Sequence, residues 1–320
     1  MPWRCVLLAC ASIGPACTVA LAQPVLVATD GAFGMPMVYR LDPDTGRALS
    51  AVDLRGTGPL GISPLAGLTL EPTGTLAGFT PTTDNALYRV DPSTGQARFG
   101  GRLGIATREG ALTAAADGTI YAAGTSSPHR LFTIDPATGR ASLGPTLDRP
   151  MDVSGLALRD DGMLVALDLR TAEQPASLRL IDPATGQSRQ LAELDAPGPL
   201  ADQGGLAIVQ VQGAAVGYLA VAPIDGPAQL WRFDPFDGSQ AQVGTIVGPA
   251  GPVGVIVGLA ALPCEPCPAD LDGDCQASVF DFLLLLGWFD AGDLRADIDG
   301  NGRLEIFDFL AFLGIFEAGC

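Results

Sequence analysis

One nine-residue pattern recurs five times and constrains the fold more than any other feature of this chain. The copies read VYRLDPDTG, LYRVDPSTG, LFTIDPATG, LRLIDPATG and LWRFDPFDG, and their aspartates lie 44 to 52 residues apart, at Asp42, Asp91, Asp135, Asp182 and Asp234. Aromatic and branched residues before the turn favour a strand. The aspartate can accept bonds from backbone amides ahead of it, proline presets φ, and glycine supplies a positive φ. Each copy therefore predicts a β-hairpin.

A second strand–turn–strand unit recurs between these hairpins. Its copies read GLTLEPTGTLAGF, ALTAAADGTIYAAG, GLALRDDGMLVALD and GLAIVQVQGAAVGYLAV. The first segment of the chain lacks the first strand of this unit, whereas the segment at Gly258 lacks the second. Four-strand units of about 45 residues are typical of propeller blades. We predict an all-β propeller of five four-stranded blades, closed by a strand at 255–262 that joins the N-terminal blade; an open array or a six-bladed ring is the alternative.

The hairpin motif resembles that of a broad group of exported bacterial β-propellers with DP-x-TG turns, over residues 25–262. This resemblance implies the architecture and leaves the activity open, because such propellers include binding scaffolds as well as lactonase-like and lyase-like enzymes. The propeller segment has a single histidine, His129, for which the sequence identifies no partner. It also lacks a nucleophile elbow and a His-Glu-x-x-His motif. We therefore favour a binding or structural role for the propeller.

Composition and the N-terminus indicate an exported protein. The chain has 18 Lys and Arg against 35 Asp and Glu, a net charge of −17. Nucleic acids and anionic membrane surfaces are therefore poor partners. Residues 1–22 carry one cation, a short apolar run and small residues at Ala20 and Ala22, which is typical of a cleaved signal peptide. Lipidation at Cys10 or Cys17 is an alternative. We expect no transmembrane segment in the mature chain and an extracellular, cell-surface or periplasmic location.

The cysteines that remain after cleavage are confined to the last fifth of the chain. They are Cys264, Cys267, Cys275 and Cys320. An even number of cysteines in an exported protein predicts disulfides, with three possible connectivities. A zinc site at CEPC is a weaker alternative, because a second cysteine pair and a nearby histidine are lacking.

The C-terminal segment is a tandem repeat of two similar sequences. The two copies read DLDGDCQASVFDFLLLLGWFDAG and DIDGNGRLEIFDFLAFLGIFEAG, and they begin at Asp270 and at Asp297. Side chains with oxygen atoms recur at positions 1, 3, 5, 9 and 12, and with a backbone carbonyl at position 7 this is the spacing of an EF-hand calcium loop. We predict two Ca²⁺ sites. Their ligands are Asp270, Asp272, Asp274, Gln276, Ser278 and Asp281 in the first loop, and Asp297, Asp299, Asn301, Arg303, Glu305 and Asp308 in the second.

Two features distinguish the loops. Position 6 calls for glycine at a sharp turn, and Gly302 provides it in the second loop, whereas the first loop has Cys275. A side chain at a positive φ is strained by about 1–2 kcal/mol. We therefore expect the second site to be the more secure one. At position 7 the ligand is a backbone carbonyl, so Gln276 and Arg303 need not be acidic.

Aspartate at position 12, a repeat of about two dozen residues and one helix after each loop together resemble the dockerin module, over residues 264–320. The resemblance implies calcium binding and attachment to a cohesin-like or other envelope protein, often in polysaccharide-degrading systems. It implies that recognition centres on Val279, Phe280, Ile306 and Phe307, although many dockerins have hydroxyl or charged residues there. It also implies that the ends of the module meet, and so pairs Cys267 with Cys320 and Cys264 with Cys275.

These predictions give four segments: a signal peptide at 1–22, a propeller at 23–262, a Pro/Cys-rich linker at 263–269 and a dockerin-like module at 270–320. Both module helices, FLLLLGWF and FLAFLGIF, are apolar nearly all round. Two short helices cannot cover every face of each other, so part of this surface packs elsewhere in the chain or binds a partner. The predicted function is an attached, calcium-binding propeller protein; the alternative is a propeller lyase, lactonase or other polysaccharide-active enzyme that the tail targets.

Overall fold

The computed structural model describes residues 24–31, 36–56, 64–80, 85–107, 110–124, 127–169, 175–196, 198–211, 213–262, 267–271, 277 and 279–318. The predicted signal peptide and the lipidation alternatives at Cys10 and Cys17 lie outside these residues. Within them, no helix is long and apolar enough to cross a lipid bilayer.

Five four-stranded antiparallel sheets form the blades. Blade 1 contains β1 (Val25–Asp30), β2 (Met37–Leu41) and β3 (Ala48–Asp53), and blade 2 contains β4 (Ala66–Leu70), β5 (Leu76–Thr80), β6 (Ala86–Val90) and β7 (Ala97–Arg102). Blade 3 contains β8 (Gly110–Ala114), β9 (Ile120–Gly124), β10 (Arg130–Ile134) and β11 (Ala141–Thr146). Blade 4 contains β12 (Val153–Leu158), β13 (Leu164–Asp168), β14 (Ser177–Ile181) and β15 (Ser188–Glu193). Blade 5 contains β16 (Leu200–Val211), β17 (Ala214–Pro223), β18 (Gln229–Phe233) and β19 (Gln240–Thr245), followed by the short pair β20 (Val247–Gly248) and β21 (Gly251–Pro252).

The last strand of the propeller closes the ring. Strand β22 (Ile256–Leu262) pairs antiparallel with β1, with Leu262 opposite Val25, and becomes the inner strand of blade 1. Strands β4, β8, β12, β16 and β22 contact one another in turn around the axis. The predictions of five blades and of ring closure by the 255–262 strand are therefore confirmed, and the structure is neither an open array nor a six-bladed ring.

Apolar side chains between neighbouring blades form the core. Five buried clusters each combine residues from two adjacent blades, and one of them joins Leu26 and Leu41 of blade 1 to Tyr218 and Leu230 of blade 5. A single twisted sheet cannot bury both of its faces, so each blade depends on its two neighbours for a dry interface. Closure of the ring therefore gives every blade a neighbour on both faces.

The DP-x-TG segments adopt the same turn in all five blades. In each copy the glycine amide donates to the carbonyl of the aspartate at 2.8–2.9 Å, for example from Gly139 to Asp135. The aspartate carboxylate accepts from the amide two residues ahead, at 2.7–2.9 Å. In three copies it also accepts from a threonine hydroxyl. The hairpin prediction is confirmed, and its capping aspartate acts as expected.

The turn glycine also fixes the turn onto the preceding blade. All five of these glycines have φ between +69° and +79°. A β-carbon on Gly139 would lie 2.6 Å from the Cα of Gly101 in blade 2, and one on Gly95 would overlap the carbonyl oxygen of Asp53 in blade 1. The amide of Arg55 donates to the carbonyl of Gly95 at 2.9 Å. The motif therefore serves both the hairpin and the inter-blade contact, and only the first role could be predicted from one hairpin alone.

Arginine side chains add a second link between blades. Arg89 on β6 makes a bidentate ion pair with the buried Glu71, at 2.8 and 2.9 Å, and donates to the carbonyl of Pro136 in the next DP-x-TG turn. In the same way, Arg159 pairs with Asp161 and donates to the carbonyl of Pro235. These partners give Arg89 and Arg159 a structural role between neighbouring blades.

The turn carboxylates should make the stability of the propeller decrease at low pH. Hydrogen bonds from the Thr138 hydroxyl and the Ala137 amide hold the pKa of Asp135 below its ordinary value. A depressed folded pKa stabilises the fold above the unfolded pKa, and that contribution is lost as the pH falls through the folded pKa. We expect Asp135→Asn to flatten the loss of stability between pH 5 and pH 2.5, as measured by thermal unfolding against wild type. Equal pH profiles for wild type and Asp135→Asn would contradict the assignment.

After the propeller come α1 (Val279–Asp290), a short 3₁₀ helix (Leu294–Ala296) and α2 (Ile306–Ala318). Their small core is centred on Leu285 and Phe312, which are fully buried. Aromatic rings join the two helices: the rings of Phe289 and Phe309 lie 4.6 Å apart, and those of Phe282 and Phe312 lie 6.0 Å apart. A core of this size is marginal by itself.

Candidate metal centre

Three carboxylates of the second acidic loop converge. One carboxylate oxygen from each of Asp297, Asp299 and Asp308 lies within 4.8 Å of the other two. They occupy positions 1, 3 and 12 of the predicted calcium loop. Carboxylate oxygens are hard ligands of the kind that Ca²⁺ prefers. Three like charges at this separation repel one another, so a cation between them would remove an electrostatic cost.

Backbone geometry brings these side chains together. Gly300 and Gly302 have φ of +71° and +80°, which turns the chain back around the loop interior. The Asp297 carboxylate accepts from the amide of Asn301 at 3.0 Å and from that of Gly302 at 2.7 Å. Glycine at position 6, which the sequence singled out, therefore lies at the sharp turn where a β-carbon would be strained.

Asp308 joins the start of the loop to the helix that follows it. Its side chain is fully buried. One carboxylate oxygen accepts from the amide of Ile298 at 2.9 Å, and the other accepts from the amide of Glu305 at 2.8 Å. Backbone donors compensate part of the cost of burying this charge. The carboxylate is thus held in place at the base of the loop by its own backbone.

The other predicted ligands of the second loop lie around this trio. The Asn301 side-chain amide donates to Glu305 at 3.1 Å and to Asp299 at 2.9 Å. The Arg303 residue is exposed, and its amide donates to the Asn301 side chain at 2.8 Å. An outward arginine side chain is compatible with a position at which only the backbone carbonyl is a ligand. The structure therefore gathers Asp297, Asp299 and Asp308 and places Asn301 and Glu305 beside them.

Only part of the first loop can be described. Asp272, Asp274, Cys275, Gln276 and Ser278 lie outside the described residues, and their assignment stays a prediction. The described part repeats the second loop: the Asp281 carboxylate is fully buried and accepts from the amide of Leu271 at 2.7 Å. Leu271 and Asp281 occupy the loop positions that Ile298 and Asp308 occupy in the second copy. Asp270 lies directly before this contact, at position 1.

Sequence reasoning missed the backbone amides of Leu271 and Ile298, which hold the position-12 carboxylates. Any residue except proline has such an amide, so side-chain identity gives no signal for it. The signal that was available is positional: both amides lie at position 2 of a loop whose position 12 is aspartate. Equal contacts in both copies support the interpretation of the segment as a tandem repeat.

The two helices of the module expose and bury equivalent residues. Asp281 and Leu285 are buried in α1, as are Asp308 and Phe312 in α2. The residues that the dockerin resemblance implies for partner recognition are exposed by 57–67% of their surface, and they are Val279, Phe280, Ile306 and Phe307. The sequence left open whether the apolar helix faces pack internally or remain exposed. Both occur: Leu283 and Leu310 are exposed, whereas Phe312 is buried and Trp288 is half-buried.

The predicted disulfides involve residues that are mostly not described. Cys267 lies against the core of the module. Cys264, Cys275 and Cys320 lie outside the described residues. The pairings Cys267–Cys320 and Cys264–Cys275 therefore stay predictions.

Two features of the propeller bear on acid–base catalysis: its histidine and the cavity in its central channel. His129 precedes β10 and is half-buried, and within the described part of the chain no carboxylate contacts its imidazole. A cavity of about 350 Å³ at one end of the central channel is lined by all five inner strands. Its walls are mainly Leu, Ala, Ile and Val, with Thr69, Thr113 and Gln210 as the polar side chains. Thr69 and Thr113 each accept a bond from a neighbouring inner strand. The described lining thus has no group suited to acid–base catalysis.

Comparisons with known proteins find only distant structural similarity. No protein-family model matches the chain, and no curated protein matches it. Among solved structures, a chain of the nidogen/laminin complex is similar with a TM-score of 0.47 at 12% identity, over 75% of this chain and 98% of that one. TolB from Acinetobacter baumannii is similar with a TM-score of 0.40 at 14% identity. The alignment covers 75% of this chain and 54% of TolB. Likenesses this distant say nothing about what this chain binds.

Proposed function

We infer that this chain is an exported calcium-binding protein whose β-propeller is a binding or structural domain, attached to a partner or cell-surface assembly through its dockerin-like tail. The observation that carries this proposal is the convergence of Asp297, Asp299 and Asp308 in a loop whose following helix and buried contact recur in both copies of the repeat. A chance acidic loop has no reason to repeat its buried carboxylate and its amide contact in register.

Bound calcium would stabilise the folded form of the C-terminal module. The described core of the module consists of four fully buried side chains with partly buried neighbours, which is small for an independent domain. Small domains usually need metals or disulfides in addition to their core. An ion that binds only the folded form stabilises it by mass action, by about 4 kcal/mol at 1,000 times its Kd. Two such ions would hold both helices and so create the surface used for attachment.

The enzymatic alternative has less support. The described lining of the channel mouth contains neither a histidine nor a carboxylate. We therefore propose a non-catalytic propeller, whose blade loops provide recognition.

The attachment is tested by fractionating cells that secrete the full-length protein. We expect the protein in the envelope fraction when calcium is present and in the medium after a chelator wash. A double variant, Asp297→Ala with Asp299→Ala, should appear in the medium even with calcium. Asp225→Asn, which changes an exposed acid of the propeller, is the control and should behave as wild type. Wild-type protein that is free in the medium with calcium bound would overturn the attachment while leaving calcium binding intact.

A further inference from the structure

Each module helix presents one exposed apolar stripe. The α1 stripe consists of Val279, Phe280, Leu283 and Leu286, and the α2 stripe of Ile306, Phe307, Leu310 and Leu313; all eight are exposed by 40–67%. Members of the two stripes correspond one to one in the two copies of the repeat. Single exposed leucines are ordinary on protein surfaces, but four large apolar side chains on one helix face mark an interaction surface.

A glycine lies at the same place in each stripe. Gly287 and Gly314 are exposed within α1 and α2, and a β-carbon on either would meet nothing within 4 Å. Nothing within the described chain therefore requires glycine there, although glycine weakens a helix relative to alanine. Glycine on an outward face allows another backbone to approach closely. Both copies therefore leave room for another backbone to approach the helix at this point.

Each stripe ends in an acidic residue at an unfavourable place. Asp290 and Glu317 are exposed in the last turns of α1 and α2, which contain no basic residue. The negative end of a helix dipole favours a cation there and disfavours a carboxylate. Among the described residues, neither carboxylate pairs with an arginine. A cation supplied from outside the chain would relieve both the dipole and the unpaired charge.

The net charge of the module distinguishes between the partners that could bind the two stripes. Residues 267–320 contain nine Asp and two Glu against two Arg, so the module remains negative even with two calcium ions bound. A second copy of the module or an anionic lipid surface would be repelled at the stripe ends. The occupant that fits is an apolar helix carrying Lys or Arg. From Val279 to Asp290 the stripe is about 16 Å long, which matches a partner helix of roughly three turns.

We propose that each stripe binds a cationic amphipathic helix of a partner protein. Apolar side chains of the partner pack on the four large residues, its backbone crosses at Gly287 or Gly314, and its cation pairs with Asp290 or Glu317. This inference rests on the proposed attachment function and specifies the chemistry of the partner.

The test uses the full-length protein in calcium and two synthetic 18-residue helical peptides. Both peptides have the same leucine face; one is flanked by lysine and the other by glutamate. We expect the lysine peptide to bind at least about ten-fold more tightly, by fluorescence anisotropy, because only it offers a complementary charge. Replacing both Asp290 and Glu317 with lysine should reverse this preference. A Leu283→Glu and Leu310→Glu double variant should lose binding, whereas Leu143→Glu, at an exposed leucine of β11, should retain it.

Substitution of the two helix glycines gives a second and independent test of the proposed binding. A Gly287→Ala and Gly314→Ala double variant should raise the Tm of the module and still weaken the lysine peptide about ten-fold, because a better helix former now blocks close approach. A merely structural role of these glycines would not move the two readouts in opposite directions. Equal affinity for both peptides, no binding of either, or calcium-dependent dimerisation in sedimentation would overturn the proposal. Calcium binding, measured in the same samples, shows separately whether the proposed function survives.

Discussion

Asp308→Asn will weaken calcium binding at the second loop on the order of 100-fold, and it will reduce the number of tightly bound ions from two to one. The reason is geometric. Asp308 is fully buried, converges with Asp297 and Asp299, and holds the amides of Ile298 and Glu305 with its two oxygens. Asparagine keeps one acceptor, and it loses both the charge and the second acceptor. The measurement is calorimetric titration of the full chain with Ca²⁺.

A control variant and a second measurement accompany the titration. Asp290→Asn, an exposed acid of α1, should leave two ions bound with unchanged affinity. Circular dichroism near 222 nm should report loss of the helices when calcium is chelated from wild type, whereas the strand signal of the propeller should persist. Two tight sites in Asp308→Asn would show that the acidic loop is not a metal centre, whereas helices that are unaffected by a chelator would show that the ion does not maintain them.

Gly95→Ala will destabilise the propeller by about 3 kcal/mol. Gly95 has φ of +69°, and an added β-carbon would overlap the carbonyl oxygen of Asp53 on the outer strand of blade 1. Two costs therefore add: the left-handed backbone disfavours any β-carbon, and the collision separates the turn from its neighbouring blade. The Arg55 amide, which donates to the Gly95 carbonyl, is expected to lose its partner at the same time. Equilibrium unfolding in urea, followed by the β-sheet signal, gives the change in free energy.

Gly118→Ala separates these two costs. Gly118 has φ of +89°, but a β-carbon there would meet nothing within 4 Å. It should therefore cost only the backbone strain, about 1 kcal/mol. Equal losses at the two positions would mean that the turn glycine serves φ alone and that the inter-blade contact is unimportant for stability.

Local chemistry made the propeller predictable from the sequence. Asp135, Pro136 and Gly139 act within one turn, so their roles follow from short-range hydrogen bonds and φ preferences. Ring closure was also predictable, because the first and last segments each lack a strand that the other supplies. The contact between the turn glycine and the preceding blade could not be predicted. It depends on a strand that is distant in the sequence, and only the assembled ring defines the position of that strand.

In the C-terminal module, ligand positions were predictable and helix faces were not. The convergence of Asp297, Asp299 and Asp308 follows from a fixed loop spacing and from glycines that allow the turn. By contrast, α1 and α2 are apolar nearly all round, so periodicity could not identify the buried face. The side of each helix that remains exposed is set by the aromatic contacts of Phe282, Phe289 and Phe309.

The pairing of β22 with β1 also has a consequence for the order of synthesis. Strands β1, β2 and β3 of blade 1 precede the other described strands of the propeller, yet their inner partner is its last strand, β22. Until Leu262 has been made, blade 1 has an open edge and one side of the ring has no neighbour. Contacts between such distant segments form late, because closing a long loop costs entropy. The propeller therefore reaches its final stability only after its last strand, β22, has been synthesised.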